Sequence, residues 1–217
     1  MKIGVIGDKL NFEEVQDRLV KHEVLFIPAN ELLADLKGLG CVFHFAIDEN
    51  PDHLDGLREL SNPVFLNSVK TSLVELSYLY GGLGSHVYGF NGLPGFFNRS
   101  VLEVTLQESS LEPRILVDEL DMEYLVVADR VGMATPRVIA MIINEAYYTL
   151  QENTATAEDI DLGMKLGTNY PFGPFEWTKK IGVHHIYELL ESLHQDTKDQ
   201  RYKISPLLKR EYLLLQG

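Results

Sequence analysis

Sulfur, cationic charge and long apolar runs are all scarce in this chain. Its 217 residues include a single cysteine, Cys41. That excludes a disulfide framework and any multi-cysteine metal site, and it suits a reducing compartment. No apolar stretch approaches the roughly 18 residues needed to span a bilayer. Met1-Lys2 runs directly into apolar sequence, without the pattern of a signal peptide. A cytoplasmic protein is therefore expected. Basic residues number 19 against 32 acidic ones, a formal net charge of −13. Ten of the basic and 12 of the acidic residues lie in 129–217, so residues 1–128 carry nearly all the excess. A chain without basic clusters cannot neutralise a phosphate backbone or adhere to an anionic membrane surface. Neither nucleic acid nor a membrane is expected as a partner.

What is present is an ordinary globular composition, 45% hydrophobic and 24% charged, long enough to bury a core. The first half alternates. KIGVIG, EVLFIPA, CVFHFAI, PVFLNSV, HVYGF, VLEVTL and EYLVVA read as strands. FEEVQDRLVKH, ELLADLKGL, HLDGLREL and LVELSYLYGG read as helices between them. Near-unbroken apolar strands separated by helices predict a mainly parallel sheet covered on both faces. From Pro136 onward the pattern becomes helical, with apolar Val138, Ile139, Met141, Ile142, Ala146, Tyr147 and Leu150. Thr156 is placed to cap a further helix, with Asp159 at its third position. Residues 181–194 and 205–215 add two more. Gly167 is expected to end a helix in the left-handed conformation. Pro171, Gly173 and Pro174 form a rigid turn ahead of the next one.

Glycine is missing where a dinucleotide site needs it. In Gly-x-Gly-x-x-Gly the first glycine makes the turn, the second lets backbone approach pyrophosphate, and the third packs helix against strand. Gly7 fills the first place, but Lys9 and Phe12 stand at the others. Asn11 followed by Glu14 reads as a capping box, which would use the helix's own free N–H groups. Glu13 and Glu14 add negative charge where an anion should sit. The stretch Ile27-Pro28-Ala29-Asn30 lacks a carboxylate for a ribose hydroxyl. Lys9 remains as a conceivable phosphate contact.

The segment TATAEDIDLGMKLGTNYPFGPFEWTKKIG, residues 154–182, carries Glu158-Asp159-Ile160-Asp161, Met164-Lys165-Leu166-Gly167 and Pro171-Phe172-Gly173-Pro174-Phe175-Glu176. With Asn144-Glu145-Ala146 before it and Pro206-Leu207-Leu208 after it, it resembles the C-terminal helical domain of the 3-hydroxyacyl-CoA dehydrogenases. The resemblance implies an α/β fold: a shortened Rossmann-like domain over 1–130, then an all-α dimerisation domain over 131–217. It implies a homodimer through the C-terminal helices and acyl-CoA as ligand, with NAD as cofactor of an active member.

In the first half the resemblance places the family's catalytic histidine at Asn91, and its orienting glutamate at Glu103, twelve residues on. The family's catalytic asparagine falls at Pro136. Asn67 and Ser68 keep part of a substrate-binding motif whose serine is replaced in Val69-Lys70. Glu49, in Ala46-Ile47-Asp48-Glu49-Asn50, matches a glutamate of the cofactor site. Asparagine cannot take up a proton at neutral pH, and general acid–base catalysis typically supplies about 10²–10⁴-fold. Among the histidines, His44 reads as core, His86 as a residue able to reach the cleft, and His184-His185 as structural. No metal site is expected. The residues thus predict a relative with little or no dehydrogenase activity and no bound cofactor, set against an active NAD-dependent 3-hydroxyacyl-CoA dehydrogenase of fatty-acid metabolism.

Overall fold

The computed structural model describes residues 1–30, 36 and 38–215. The helix expected over 31–39 falls largely outside them. The chain divides into two compact units, Met1–Met133 and Ala134–Gly217.

The first unit is built as β1 (Lys2–Gly7), α1 (Lys9–Arg18), β2 (Glu23–Pro28), β3 (Cys41–His44), a 3-10 turn at Pro51–His53 and α2 (Leu54–Leu57). It continues with β4 (Val64–Asn67), α3 (Leu73–Tyr80), β5 (Val87–Phe90), β6 (Val101–Thr105), α4 (Ile115–Asp118) and β7 (Glu123–Val126). The strands form one sheet in the order β2-β1-β3-β4-β5-β6-β7. All neighbours are parallel except β5 and β6, which pair antiparallel with Phe90 opposite Val104. β1 and β3 are neighbours while β2 lies outside them, so the strand order reverses between β1 and β3. Crevices at such reversals, outside the carboxyl ends of the strands, are where open α/β sheets bind ligands.

Alternate residues feed two cores. One face gathers Phe43, Phe65, Tyr88, Phe90, Phe97, Leu102 and Val104. The other gathers Ile6, Val42, Val64, Leu66, Leu73 and Val87. The Phe43 and Phe65 rings stack at 4.8 Å. Full burial of such a side chain contributes about 1.5–3 kcal/mol. Coverage on both faces holds for the inner strands only: Leu25 and Phe26 on β2, and Leu125 and Val126 on β7, are exposed. An edge strand lacks the outer neighbour whose crossover helix would cover it. The helix read over 53–60 is also cut to the single turn of α2, preceded by the 3-10 turn that Pro51 starts.

The second unit comprises α5 (Thr135–Gln151), α6 (Ala157–Thr168), α7 (Pro174–Ile181), α8 (Val183–Thr197) and α9 (Pro206–Leu215). Ile139, Ala140, Ile143, Ala146 and Tyr147 form the buried stripe of α5. Thr156 caps α6, its hydroxyl accepting from the Asp159 N–H at 3.2 Å. Gly167 does not end that helix. It lies within α6, and the left-handed cap is Asn169 at φ 56°. Asparagine tolerates this conformation because its short polar side chain bonds locally.

The motif-rich segment is a capping device. Asp161 on α6 accepts from the Phe175 N–H at 2.8 Å and the Glu176 N–H at 3.2 Å, satisfying the start of α7. Glu176 in turn accepts from the Gly173 N–H at 3.0 Å and pairs with Lys165. A side chain at Gly173 would meet Asp161, including its Cα at 2.5 Å. Buried Asn144 accepts from the Ser205 N–H and donates to the Lys203 carbonyl, both at 2.9 Å, fixing the approach to α9.

Candidate functional site

The residues singled out in the first unit lie at or just beyond the carboxyl ends of β1, β3, β4 and β5, and across from them on β6. At β1 the helix start is closed on itself. Asp8 is the N-cap of α1, and its Oδ1 accepts from the Asn11 N–H at 2.8 Å. Asn11 Oδ1 accepts from the Asp8 N–H at 3.1 Å. The box therefore runs from Asp8 to Asn11, one turn earlier than the Asn11–Glu14 box read from sequence. Asp8 takes the cap because α1 begins at Lys9, directly after the strand. Glu13 and Glu14 then fall in the second turn, and the negative charge at the helix start is the Asp8 carboxylate itself. Glu14 instead accepts from the N–H groups of Gly95 and Asn98, at 3.2 and 3.3 Å, and holds the β5–β6 loop.

Gly7 is buried, and a Cβ there would lie 2.6 Å from Asn11 Oδ1 and 3.1 Å from the Phe45 Cβ. The space beside Gly7 is filled by the chain's own Asn11 and Phe45. Lys9 is exposed and pairs with Glu13 at 3.6 Å. Glu49 is exposed. These residues do not fit a dinucleotide. Anion binding at a helix start depends on free N–H groups and a positive field, and here the Asp8 carboxylate takes the Asn11 N–H and sets its own negative charge there.

Asn67 stitches neighbouring strands. Its Nδ2 donates to the Phe45 carbonyl at 2.9 Å, and its Oδ1 accepts from the Gly92 N–H at 3.0 Å. Both amide groups are thereby spent on backbone. Ser68 is buried, and its hydroxyl and that of Thr105 flank Gly89 without hydrogen-bond partners among the described residues. A Cβ at Gly89 would lie 2.1 and 2.2 Å from the two oxygens, so only glycine fits between them. Lys70 pairs with Asp48 at 2.9 Å, both largely buried, bridging the segments after β3 and β4.

Asn91 and Glu103 are brought together, both buried. The antiparallel register sets them opposite each other, and the Asn91 N–H donates to the Glu103 carbonyl at 3.0 Å. The Asn91 side-chain oxygen accepts from the Leu93 N–H at 3.4 Å. Burial lowers the pKa of Arg99, and the nearby Glu103 charge partly offsets that by favouring the guanidinium. Arg99 also lies over the Phe96 ring at 4.4 Å. The pair offers hydrogen bonds and a carboxylate but no imidazole.

The four histidines of this unit are engaged with other partners. His22 lies 3.4 Å from the Met1 amine. His44 contacts His53 at 2.9 Å, and its pKa is pulled down to about 3, chiefly by burial and then by His53. His86 contacts the Leu57 carbonyl at 3.3 Å. Sequence reasoning did not single out Asp8, Asp48 or Thr105, and it named Lys70 only as part of Val69-Lys70. For Asp8 a signal existed: an aspartate directly after the strand glycine and three residues before an asparagine.

The family of 3-hydroxyacyl-CoA dehydrogenase C-terminal domains matches residues 132–214. A 3-hydroxyadipyl-CoA dehydrogenase of Escherichia coli (strain K12) is 44% identical over 93 residues, 43% of this chain and 20% of that protein. Residues 132–214 belong to the family of 3-hydroxyacyl-CoA dehydrogenase C-terminal domains. A 3-hydroxybutyryl-CoA dehydrogenase of Bradyrhizobium diazoefficiens is 28% identical over 206 residues, 94% of this chain and 60% of that protein. The matched stretches thus span from a fifth to three-fifths of these curated relatives. The (S)-3-hydroxybutyryl-CoA dehydrogenase of Ralstonia eutropha superposes with a TM-score of 0.74 at 19% identity, over 99% of this chain and 94% of that one. At that identity the likeness is one of fold. A Rossmann-like sheet followed by a helical unit is the fold the chain shares with that structure. Among the described residues, no helix is long and apolar enough to cross a membrane.

Proposed function

We propose that this relative of the 3-hydroxyacyl-CoA dehydrogenases has little or no dehydrogenase activity and acts as a dimeric binding or scaffolding protein, with acyl-CoA as its ligand class. The observation that carries the reading is the reciprocal box of Asp8 and Asn11, which puts a carboxylate where a dinucleotide needs a free helix start. Asn91 supports it from the other end of the reaction. Oxidising a secondary alcohol requires a base for the hydroxyl proton as hydride leaves. An amide supplies none, and Pro136 stands where the family's catalytic asparagine would.

Dimerisation is assigned to residues 131–217 with the family's helical domain. The exposed Leu213, Leu214 and Leu215 on α9, and Leu162 and Leu166 on α6, support an apolar contact surface. A cytoplasmic location accords with the lone buried Cys41. Similarity to a 3-hydroxybutyryl-CoA dehydrogenase along 94% of the chain favours a second reading, an active NAD-dependent enzyme. NADH oxidation with acetoacetyl-CoA, followed beside an active relative, separates the two. Absence of turnover is the expected result, and clear turnover overturns the proposal. Light scattering at tens of micromolar tests the dimer, and a monomer refutes it.

A further inference from the structure

We propose that His44 and His53 form an acid-released latch on the loop 45–53, which carries Asp48, Glu49 and Asn50 at the mouth of the crevice. The hydrogen bonds fix the protons. The Ala46 N–H donates to His44 Nδ1 at 3.2 Å, so that nitrogen carries the lone pair. His44 Nε2 therefore bears the proton and donates to His53 Nδ1 at 2.9 Å. His53 must offer Nδ1 as an acceptor, so both rings are neutral. An added proton on His53 sets two N–H groups face to face. His44 can relieve that only by moving its own proton to Nδ1, where it would meet the Ala46 N–H. The closed arrangement has no place for a third proton.

The surroundings reinforce this. In register with His44, the flanking strands present apolar Ile6 and Leu66. The charged side chains on the loop and on the turn and helix carrying His53 are Asp48, Glu49, Asp52, Asp55 and Arg58. Lys70 binds Asp48, and Arg58 binds Asp55 at 2.8 Å. The folded pKa of His44 lies far below its ordinary 6.5. The closed state is therefore fully favoured above about pH 6.5 and loses ground as pH falls below it. Opening frees the loop at Ala46. The Asn67 bond to the Phe45 carbonyl marks where the freed segment begins.

Amide hydrogen exchange on the full chain reads the latch directly. Going from pH 7.5 to 5.5 raises the open fraction about tenfold for one released histidine, and about a hundredfold for two. After correction for intrinsic rates, Ala46 protection should fall by that factor. Val42, whose N–H donates to the Pro63 carbonyl, should keep its protection. In His53→Gln, whose amide oxygen accepts from His44 but does not titrate, the loss of Ala46 protection should shrink to the roughly tenfold that His44 alone contributes. Equal losses at Ala46 and Val42 would mean global unfolding and overturn the latch. So would Ala46 protection that ignores pH in the wild type, or a loss in His53→Gln as large as that of the wild type.

Discussion

Asp8 and Asn11 each accept the other's backbone N–H, at 2.8 and 3.1 Å, and so close the start of α1. A family dinucleotide would need that start open. NADH is accordingly expected to show no saturable fluorescence change with the wild type, and a dissociation constant near micromolar would contradict this. Asp8→Gly alone should not create binding, because Asn11 still fills the space beside Gly7. Asp8→Ala should cost about 1 kcal/mol of stability, as loss of an N-cap does. An unchanged urea midpoint for that variant would show that the box contributes nothing to folding.

Asn91→His tests whether the missing base is the sole defect. The backbone pairing with Glu103 places a new imidazole opposite the carboxylate that would orient it. Hydride transfer should still be absent, since the closed start of α1 and Pro136 are unchanged. A variant that oxidises NADH with acetoacetyl-CoA would show that the cofactor crevice is competent and that only the base was lost. The His44 and His86 rings, held by His53 and the Leu57 carbonyl, give no grounds to expect substitution by either.

The legible parts of the fold are those governed by local pattern. β3 and β4 read as strands because each opens on an apolar run, CVF and VFL. α6 reads from Thr156 and Asp159, a cap whose chemistry is complete within four residues. Sequence reasoning fails where a nonlocal partner decides the outcome. Gly167 does not terminate α6, because glycine permits the left-handed turn without requiring it and Asn169 supplies it two residues later. Glu14 reads as part of the helix cap, but its partners are Gly95 and Asn98, more than eighty residues away. The Lys70–Asp48 pair joins two loops that only the sheet order brings together. The juxtaposition of Asn91 and Glu103 is legible because twelve residues suffice for a hairpin between β5 and β6.

Cys41 should be inert in the folded protein. It is buried, and burial pushes its thiol pKa up to about 12. The thiolate is the reactive form, so a thiol reagent at pH 8 should label it only as fast as the protein opens. The raised folded pKa means this stabilisation is complete below about pH 9, the ordinary value of a free thiol, and declines as pH rises above it. Rapid stoichiometric labelling of the native chain would refute this burial.

Asp161 and Gly173 give the sharpest test of the family signature as a packing device. Asp161 reaches from α6 to accept two N–H groups at the start of α7, where its negative charge also meets the favourable end of the helix dipole. Asp161→Ala should therefore destabilise by about 1–2 kcal/mol. Gly173→Ala faces a different problem. Its backbone at φ −74° suits any residue, but the added Cβ would sit 2.3 Å from Asp161 Oδ1 and 2.5 Å from its Cα. Overpacking of this kind costs about 1–3 kcal/mol. The double variant should cost less than the sum, because removing the Asp161 carboxylate relieves part of the clash while the overlap with the backbone of residue 161 persists. Trp177, the chain's single tryptophan, is buried on α7 itself and reports unfolding of this unit by fluorescence. Additive losses for the pair would show that the glycine serves something other than clearance for Asp161, and a stable Gly173→Ala would show that the turn yields more easily than its close packing implies.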